Sequence, residues 1–259
     1  MRALAPAVVF SALIGIGFVS ISSAQPSQPD VLPREFECMA KSFAGGSKVV
    51  TSMTKCVSKC FDSLWDGETP ESDCLPPYAN RTAECTTSVA TKVSYVVLNA
   101  CTTGPGADCP ECYTPSGCGT EQADAVPMLF GSLFDGLVPD LFCERDGALP
   151  AEQKCQLNAA KWVARHHLSV ARCYRKCFVD ARSGGDVNTC MPPAIAPGLL
   201  ACLEAARAKA GASIDRYCDE TRYPDAAPEW SSPYPSGAEW ASRVESISDP
   251  LIPVFYCGS

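Results

Sequence analysis

The chain is 259 residues long, carries a net charge of −8 and contains 17 cysteines but only two histidines. The acidic balance argues against nucleic acid as a partner, because binding to phosphate backbones depends on an excess of basic side chains. The shortage of histidine leaves little material for hydrolytic triads. The cysteine content is typical of a disulfide framework in an exported protein.

Residues 1–24 have the layout of a secretory signal peptide. Arg2 gives a short basic start, an apolar stretch follows, and Ser22, Ser23 and Ala24 supply the small residues of a cleavage site. We therefore predict a mature chain that begins at Gln25, has no membrane span after cleavage and is secreted or periplasmic. Residues 25–37 are interpreted as an N-terminal linker.

The spacing of the cysteines repeats along the chain. Steps of 18, 4, 14, 11 and 16 residues in the first half return as 18, 4, 13, 12 and 16 in the second. The two sets are Cys38, Cys56, Cys60, Cys74, Cys85, Cys101 and Cys155, Cys173, Cys177, Cys190, Cys202, Cys218. This self-similarity predicts a tandem duplication, with units at residues 38–150 and 151–259.

Each unit is predicted to begin as a helical hairpin. Cys155, Trp162, His166, Cys173 and Cys177 fall on one helical face, and the first unit keeps the same spacing, although glycines 45 and 46 weaken that helix by about 1 kcal/mol each. A polar loop and a Pro-Pro pair follow, and second helices are predicted over residues 80–100 and 197–217. The predicted fold is all-α: two tandem disulfide-stapled helical hairpins, each followed by a loop-rich tail.

The hairpin geometry predicts which cysteines pair, because residues beside the loop meet each other and residues at the open end meet each other. The predicted pairs are Cys60–Cys74, Cys56–Cys85, Cys38–Cys101, Cys177–Cys190, Cys173–Cys202 and Cys155–Cys218. One angle argues against the open-end pair, since 16 residues at about 100° each put Cys85 and Cys101 on nearly opposite sides of an ideal helix. Either the second helix ends before Cys101 or the open-end pairing is wrong.

The first tail contains three cysteines that the second tail lacks, namely Cys109, Cys112 and Cys118. Cys-Pro-x-Cys is a redox pair where a strand delivers it to a helix N-terminus, and together with Cys143 the three cysteines offer thiolate ligands for a metal. The surrounding glycine and proline residues indicate a loop, which favours ordinary disulfides. Cys257 has no local partner, so we interpret it as a free thiol or as the link in a disulfide-bonded dimer.

The second hairpin carries two adjacent histidines and a basic stripe. His166 and His167 correspond to Val49 and Val50 of the first unit, and neighbouring helical residues point about 100° apart, so we interpret the histidines as packing residues rather than metal ligands. The stripe consists of Lys161, Arg165, Arg172 and Lys176. The acidic composition favours a stripe that is solvated, or covered by the chain's own acidic tails, over polyanion binding.

Aromatic residues recur in the second tail. They are Trp230, Tyr234, Trp240, Phe255 and Tyr256. We interpret this segment as a cover for the open side of the helical core rather than as a ligand-facing surface.

The segments 55–60 and 172–177, Lys-Cys-Val-Ser-Lys-Cys and Arg-Cys-Tyr-Arg-Lys-Cys, resemble a repeat of uncharacterised exported cysteine-rich helical-repeat proteins of bacterial type. The resemblance implies no known activity, and the sequence contains no signature of a catalytic, cofactor-binding or metal-binding site. The sequence therefore favours an exported disulfide-rich binding or structural module without enzymatic activity, whose partner is a protein or a small ligand. The alternatives are a carrier of a small apolar ligand between the two units and a thiol redox or metal protein that uses the Cys109, Cys112 and Cys118 cluster. Whether the protein catalyses a reaction stays open.

Overall fold

A computed structural model describes residues 33–102, 120–143, 148–183, 186–191, 194–218 and 236–256, and most of them are helical. The helices are α1 (Pro33–Trp65), α2 (Asn80–Thr102), α3 (Thr120–Asp135), α4 (Val138–Leu141), α5 (Pro150–Arg182), α6 (Pro197–Cys218), α7 (Gly237–Ser248) and α8 (Leu251–Tyr256). Two short antiparallel strands, β1 (Cys190–Met191) and β2 (Ala194–Ile195), form the only sheet among the described residues. The all-α prediction is confirmed.

The two predicted hairpins are α1 with α2 and α5 with α6. The second helices begin at Asn80 and Pro197, as the sequence predicts. The first helices are longer than predicted, since α1 begins at Pro33, inside the expected linker. Helix α5 begins at Pro150, where a missing N–H costs nothing, and the Glu152 carboxylate accepts a hydrogen bond of 2.6 Å from the Leu149 N–H.

Three disulfides staple each hairpin: two join its helices, and the third joins the first helix to the connection, at Cys74 or Cys190. They are Cys38–Cys101, Cys56–Cys85 and Cys60–Cys74 in the first hairpin, and Cys155–Cys218, Cys173–Cys202 and Cys177–Cys190 in the second. The loops they close span 63, 29 and 14 residues in the first hairpin and 63, 29 and 13 in the second. These six pairs are the pairs that the hairpin geometry predicts.

The angular objection to the Cys38–Cys101 pair was wrong on both counts, because α2 continues through Cys101 to Thr102 and the bond still forms. Along α2 the residues Cys85, Val89, Val93, Val97 and Cys101 step by four, and a row with this step winds slowly around its helix. A winding row follows a partner helix that crosses it at an angle. Both ends of the row therefore reach α1, although they lie far apart on an ideal helical wheel.

The described parts of both tails contain helices that the sequence analysis did not predict. Helix α3 packs on α1 and α2, and α7 packs on α5 and α6. The short helices cross between the units, since α4 contacts α5 and α8 contacts α1. Trp240, Phe255 and Tyr256 are buried, in agreement with the interpretation of this tail as a cover, whereas Trp230 and Tyr234 lie outside the described residues.

A group of aromatic side chains joins the two units into one core. The Phe130 ring of α3 lies 6.0 Å from that of Phe43, 5.4 Å from that of Phe255 and 5.5 Å from the ring of His167, measured between centroids. Gly46 makes this approach possible, because a Cβ atom at that position would lie 2.1 Å from the Phe130 ring. The glycine that weakens α1 as an isolated helix is therefore required by its tertiary packing.

Candidate functional site

A cluster of buried polar side chains lies where α7 packs against α5 and α6. We call it the histidine cluster, and it consists of His166 and His167 from α5, Arg207 from α6, and Glu245 and Ser248 from α7. The two histidines, Glu245 and Ser248 are buried. Arg207 enters from the surface, and its side chain remains 45% exposed.

Two glycines bring α7 close enough to form the cluster. A Cβ atom on Gly237 would lie 2.3 Å from the carbonyl oxygen of Gly211, so the backbones of α6 and α7 are in direct contact there. The Gly237 N–H also donates a hydrogen bond of 2.6 Å to Asp215 Oδ1 of α6. Glu245 and Ser248, three residues apart, share the face of α7 that meets α5.

Glu245 is the charged centre of the cluster. Its Oε1 accepts a hydrogen bond from His166 Nε2 at 2.9 Å, and its Oε2 accepts one from Arg207 Nε at 3.0 Å and a second from the same guanidinium. Burial opposes the ionisation of Glu245, but the hydrogen bonds from His166 and Arg207 outweigh burial and hold its pKa below the usual range. The cluster therefore contains a buried carboxylate bound from two sides.

His167 and Ser248 form a second pair, whose hydrogen bonding defines the proton positions. The Ser248 hydroxyl lies 2.7 Å from the Val244 carbonyl oxygen, to which it donates its proton. The Ser248 Oγ therefore accepts from His167 Nδ1, at 2.7 Å, which makes His167 the Nδ1–H tautomer. Burial, with the neighbouring His166, lowers the pKa of His167 to about 4, so its imidazole is neutral at pH 7.

This arrangement differs from a nucleophilic serine pair. In a hydrolytic site the serine hydroxyl donates its proton to the histidine, which acts as general base. Here Ser248 donates to a backbone carbonyl instead, and its side chain is fully buried. The geometry therefore supports a packing role for His167, as the sequence analysis inferred.

A tyrosine–aspartate hydrogen bond lies at the end of each long tail helix. Tyr174 Oη donates to Asp249 Oδ1 at 3.1 Å beyond α7, and Tyr78 Oη donates to Asp135 Oδ1 at 2.6 Å at the end of α3. Burial raises the pKa of both aspartates above the usual range. These bonds tie the ends of the tail helices to the hairpins.

The buried state of His167 predicts a dependence of stability on pH. Its folded pKa of about 4 lies below the ordinary value of 6.5, so between these values the unfolded chain binds a proton that the folded chain does not. Stability is therefore expected to fall by roughly 3 kcal/mol as the pH is lowered from about 6.5 to about 4. Denaturant unfolding of wild type and His167→Gln across this range measures the effect. The glutamine of the variant does not titrate, so the free energy of unfolding of the variant should depend less steeply on pH than that of wild type. An equal pH dependence in the two proteins would contradict a depressed pKa of His167.

The predicted cysteine site cannot be assembled from the described residues. Cys109, Cys112, Cys118 and Cys257 lie outside them, and Cys143 is half-buried just after α4. Within the described ranges no group of three or more histidine, cysteine, aspartate or glutamate residues is placed to hold a metal ion.

The partners of the histidines were not predicted from the sequence. Glu245 and Ser248 lie in a segment that the sequence pattern indicates to be a loop-rich tail without a role. One signal for α7 was present, because Ser236 and Glu239 have the spacing of a capping box, in which each side chain accepts from the other residue's backbone N–H at 3.2 Å. A helix beginning there places Glu245 and Ser248 on one face.

The predicted basic stripe lies on the solvent side of α5. Lys161, Arg165, Arg172 and Lys176 are all exposed, and the guanidinium of Arg165 lies 4.8 Å from the centre of the Trp162 ring. Helix α1 presents lysines to solvent in the same way, at Lys48, Lys55 and Lys59 among others. Basic side chains therefore mark the outer surface of both hairpins.

The fold and its cysteines define an all-α, disulfide-stapled protein, and disulfides of this number indicate an oxidising compartment outside the cytoplasm. Among the described helices, none has the length and apolar character required to cross a bilayer. Comparison of the chain with protein-family models, curated proteins and solved structures finds no match.

Proposed function

We propose that the protein is an exported, disulfide-stapled binding module without enzymatic activity. The observation that carries this proposal is the contrast between its buried and its exposed polar groups. Among the described residues, His166, His167, Glu245 and Ser248 are buried and hydrogen-bonded to one another, out of reach of a substrate. The outward surfaces of α1 and α5 instead carry basic side chains suited to contact with a partner.

The disulfide framework supports a binding role. Three disulfides hold each helix pair in a fixed arrangement, and the aromatic core around Phe130 joins the two pairs. A scaffold fixed in this way loses little conformational freedom when a partner binds. Export is supported by the signal-peptide layout of residues 1–24 together with the disulfides. The partner is a protein or another ligand that is not a nucleic acid, and Cys257 is the candidate for a disulfide-linked dimer.

Thiol labelling of the protein, expressed with residues 1–24 and recovered without reductant, tests this proposal. We expect recovery outside the cytoplasm, an intact mass that lacks residues 1–24, and at most one labelled cysteine in peptide maps. Joint labelling of Cys109 and Cys112 would overturn the proposal in favour of redox or metal chemistry. Recovery of a reduced protein from the cytoplasm would overturn the export.

A further inference from the structure

The exposed positions of α1 have an unusual composition. Between Cys38 and Phe61 this helix is buried or half-buried everywhere except at four residues, and all four are lysines. These residues, which we call the α1 row, are Lys41, Lys48, Lys55 and Lys59. At about 100° per residue they fall within about 40° of one another, so they form a straight line about 27 Å long on the helix surface.

Helix α5 has the same property. Between Cys155 and Phe178 it is exposed at five residues, and each of them is lysine or arginine. These residues, which we call the α5 row, are Lys161, Arg165, Arg172, Arg175 and Lys176. By the cysteine register, Lys48, Lys55 and Lys59 of the first row correspond to Arg165, Arg172 and Lys176 of the second. Neither row contains an exposed carboxylate, although the whole chain has a net charge of −8.

Most of this positive charge is not neutralised by the neighbouring described residues. Among the described residues, the ion pairs made by row residues lie at the ends of the rows, between Lys41 and Glu37 and between Lys176 and Asp180. For the six row residues Lys48, Lys55, Lys59, Lys161, Arg165 and Arg172, no carboxylate of the described chain lies within 4.0 Å. Like charges in a line repel one another, and a bound anion relieves that repulsion.

We propose that the α1 and α5 rows bind a linear anionic polysaccharide that lies along each helix. This inference rests on the proposed function and names the partner. One exposed ion pair contributes little, whereas several on one chain act together, so a polymer at least as long as a row is the ligand that the geometry fits. The net charge of the chain argues against polyanion binding, but it does not reveal that the exposed positions of these helices are uniformly basic.

The exposed positions of the two helices favour a polysaccharide over a bilayer surface and over a single-stranded nucleic acid. Helices that lie on a bilayer insert exposed apolar side chains next to their basic ones, whereas no exposed residue is apolar between Cys38 and Phe61 or between Cys155 and Phe178, and Val179 is the one exposed apolar residue just beyond the α5 row. Single-stranded nucleic acids are bound by stacking on exposed aromatic side chains, and the exposed positions of both helices hold none, since Trp162 beside the α5 row is half-buried and lies against Arg165. The rows offer charge alone, which suits the evenly spaced carboxylates of an acidic sugar polymer.

Binding of the exported, oxidised protein to sodium polygalacturonate, measured by calorimetry, tests the inference. We expect binding to the polymer, little binding to digalacturonate, and a loss of affinity as NaCl is raised from about 50 to about 500 mM, because exposed charges are screened. Phosphatidylglycerol vesicles and a single-stranded DNA of equal charge serve as competing ligands. Stronger binding to either of them than to polygalacturonate overturns the proposal, as does equal affinity for the dimer and the polymer.

Matched variants distinguish a contribution of the two rows to binding from a contribution of the net charge. The first variant is Lys48→Ala/Lys55→Ala/Lys59→Ala, the second is Arg165→Ala/Arg172→Ala/Lys176→Ala, and the control is Arg81→Ala/Lys92→Ala/Lys209→Ala, which removes three exposed basic residues outside the rows. Each row variant should bind about tenfold more weakly, and their combination should not bind measurably, whereas the control should stay within about twofold of wild type. An equal loss of affinity in the row variants and the control would refute the assignment of the rows as the binding site. If binding fails while the thiol map shows a closed disulfide framework, this inference fails and the proposed function stands.

Discussion

Removal of the Cys38–Cys101 disulfide, as Cys38→Ala/Cys101→Ala, is expected to lower the free energy of unfolding by about 4 kcal/mol. This bond closes a loop of 63 residues and joins the open end of the first hairpin. Without it, the unfolded chain gains the freedom that the loop had restricted, while both positions remain buried. Alanine is the suitable replacement, because a serine hydroxyl at either site would need a hydrogen-bond partner.

The Cys60–Cys74 bond of the same hairpin provides the control. It closes a loop of only 14 residues, for which the same relation gives about 3 kcal/mol. Denaturant unfolding of the two double variants without reductant should therefore give the larger loss for Cys38–Cys101. A larger loss for Cys60–Cys74 would show that the open end contributes less to the fold than its loop length implies.

Substitution of Glu245 by alanine is expected to destabilise the protein by about 2 to 3 kcal/mol. Glu245 is buried and accepts hydrogen bonds from His166 and Arg207, so its loss leaves a buried imidazole N–H without its acceptor. The destabilisation should be smaller than that caused by breaking a fully buried ion pair, because the Arg207 side chain is partly exposed and can be solvated. Thermal and denaturant unfolding at pH 7 measure the change.

Two further variants identify the cause of that loss. Glu84→Ala makes the same chemical change at an exposed residue of α2, outside the cluster, and its effect on the free energy of unfolding should remain within about 0.5 kcal/mol. Glu245→Gln keeps the volume and one acceptor but removes the charge, so its destabilisation should fall between those of Glu84→Ala and Glu245→Ala. Because the folded pKa of Glu245 is depressed, the stability it contributes is present above the unfolded pKa and is lost as the pH falls through the folded pKa. A Glu245→Ala variant as stable as wild type at pH 7 would exclude a stabilising role for the cluster.

The hairpins and most of their disulfides could be predicted from the sequence, because they depend on the spacing of residues that lie near one another in the chain. Cysteines such as Cys56 and Cys60 mark one turn of a helix by their own spacing, and Pro197 marks where the next helix begins. An antiparallel hairpin then pairs the three cysteines of the first helix, in reverse chain order, with one cysteine in the connection and two on the second helix. The angular objection at Cys101 failed because the row of residues from Cys85 to Cys101 winds around α2, so the two ends of α2 meet α1 with different faces.

The tail helices and the histidine cluster were not predictable in the same way. Glu245 and Ser248 are separated from His166 and His167 by 79 and 81 residues, and no local pattern joins them. These four residues come together because the backbones of α6 and α7 are in direct contact at Gly211 and Gly237. In the sequence alone, the two glycines are only residues of low helix propensity. Gly46 of the first unit is similar, because the space that it leaves for the Phe130 ring is evident only in the tertiary structure.

The amino-acid sequence by itself determined the helix class, the two hairpins and the cysteine pairs nearest each loop, because each of these follows from residue spacing within a short stretch of chain. The sequence favoured the open-end pairs Cys38–Cys101 and Cys155–Cys218 but left them in doubt, and the tertiary structure decided them. Only the tertiary structure decided which polar residues are buried together and which basic residues remain exposed. Burial depends on contacts between segments that are distant in the chain. For this reason the α1 row emerged only once every other residue between Cys38 and Phe61 had been packed away from solvent.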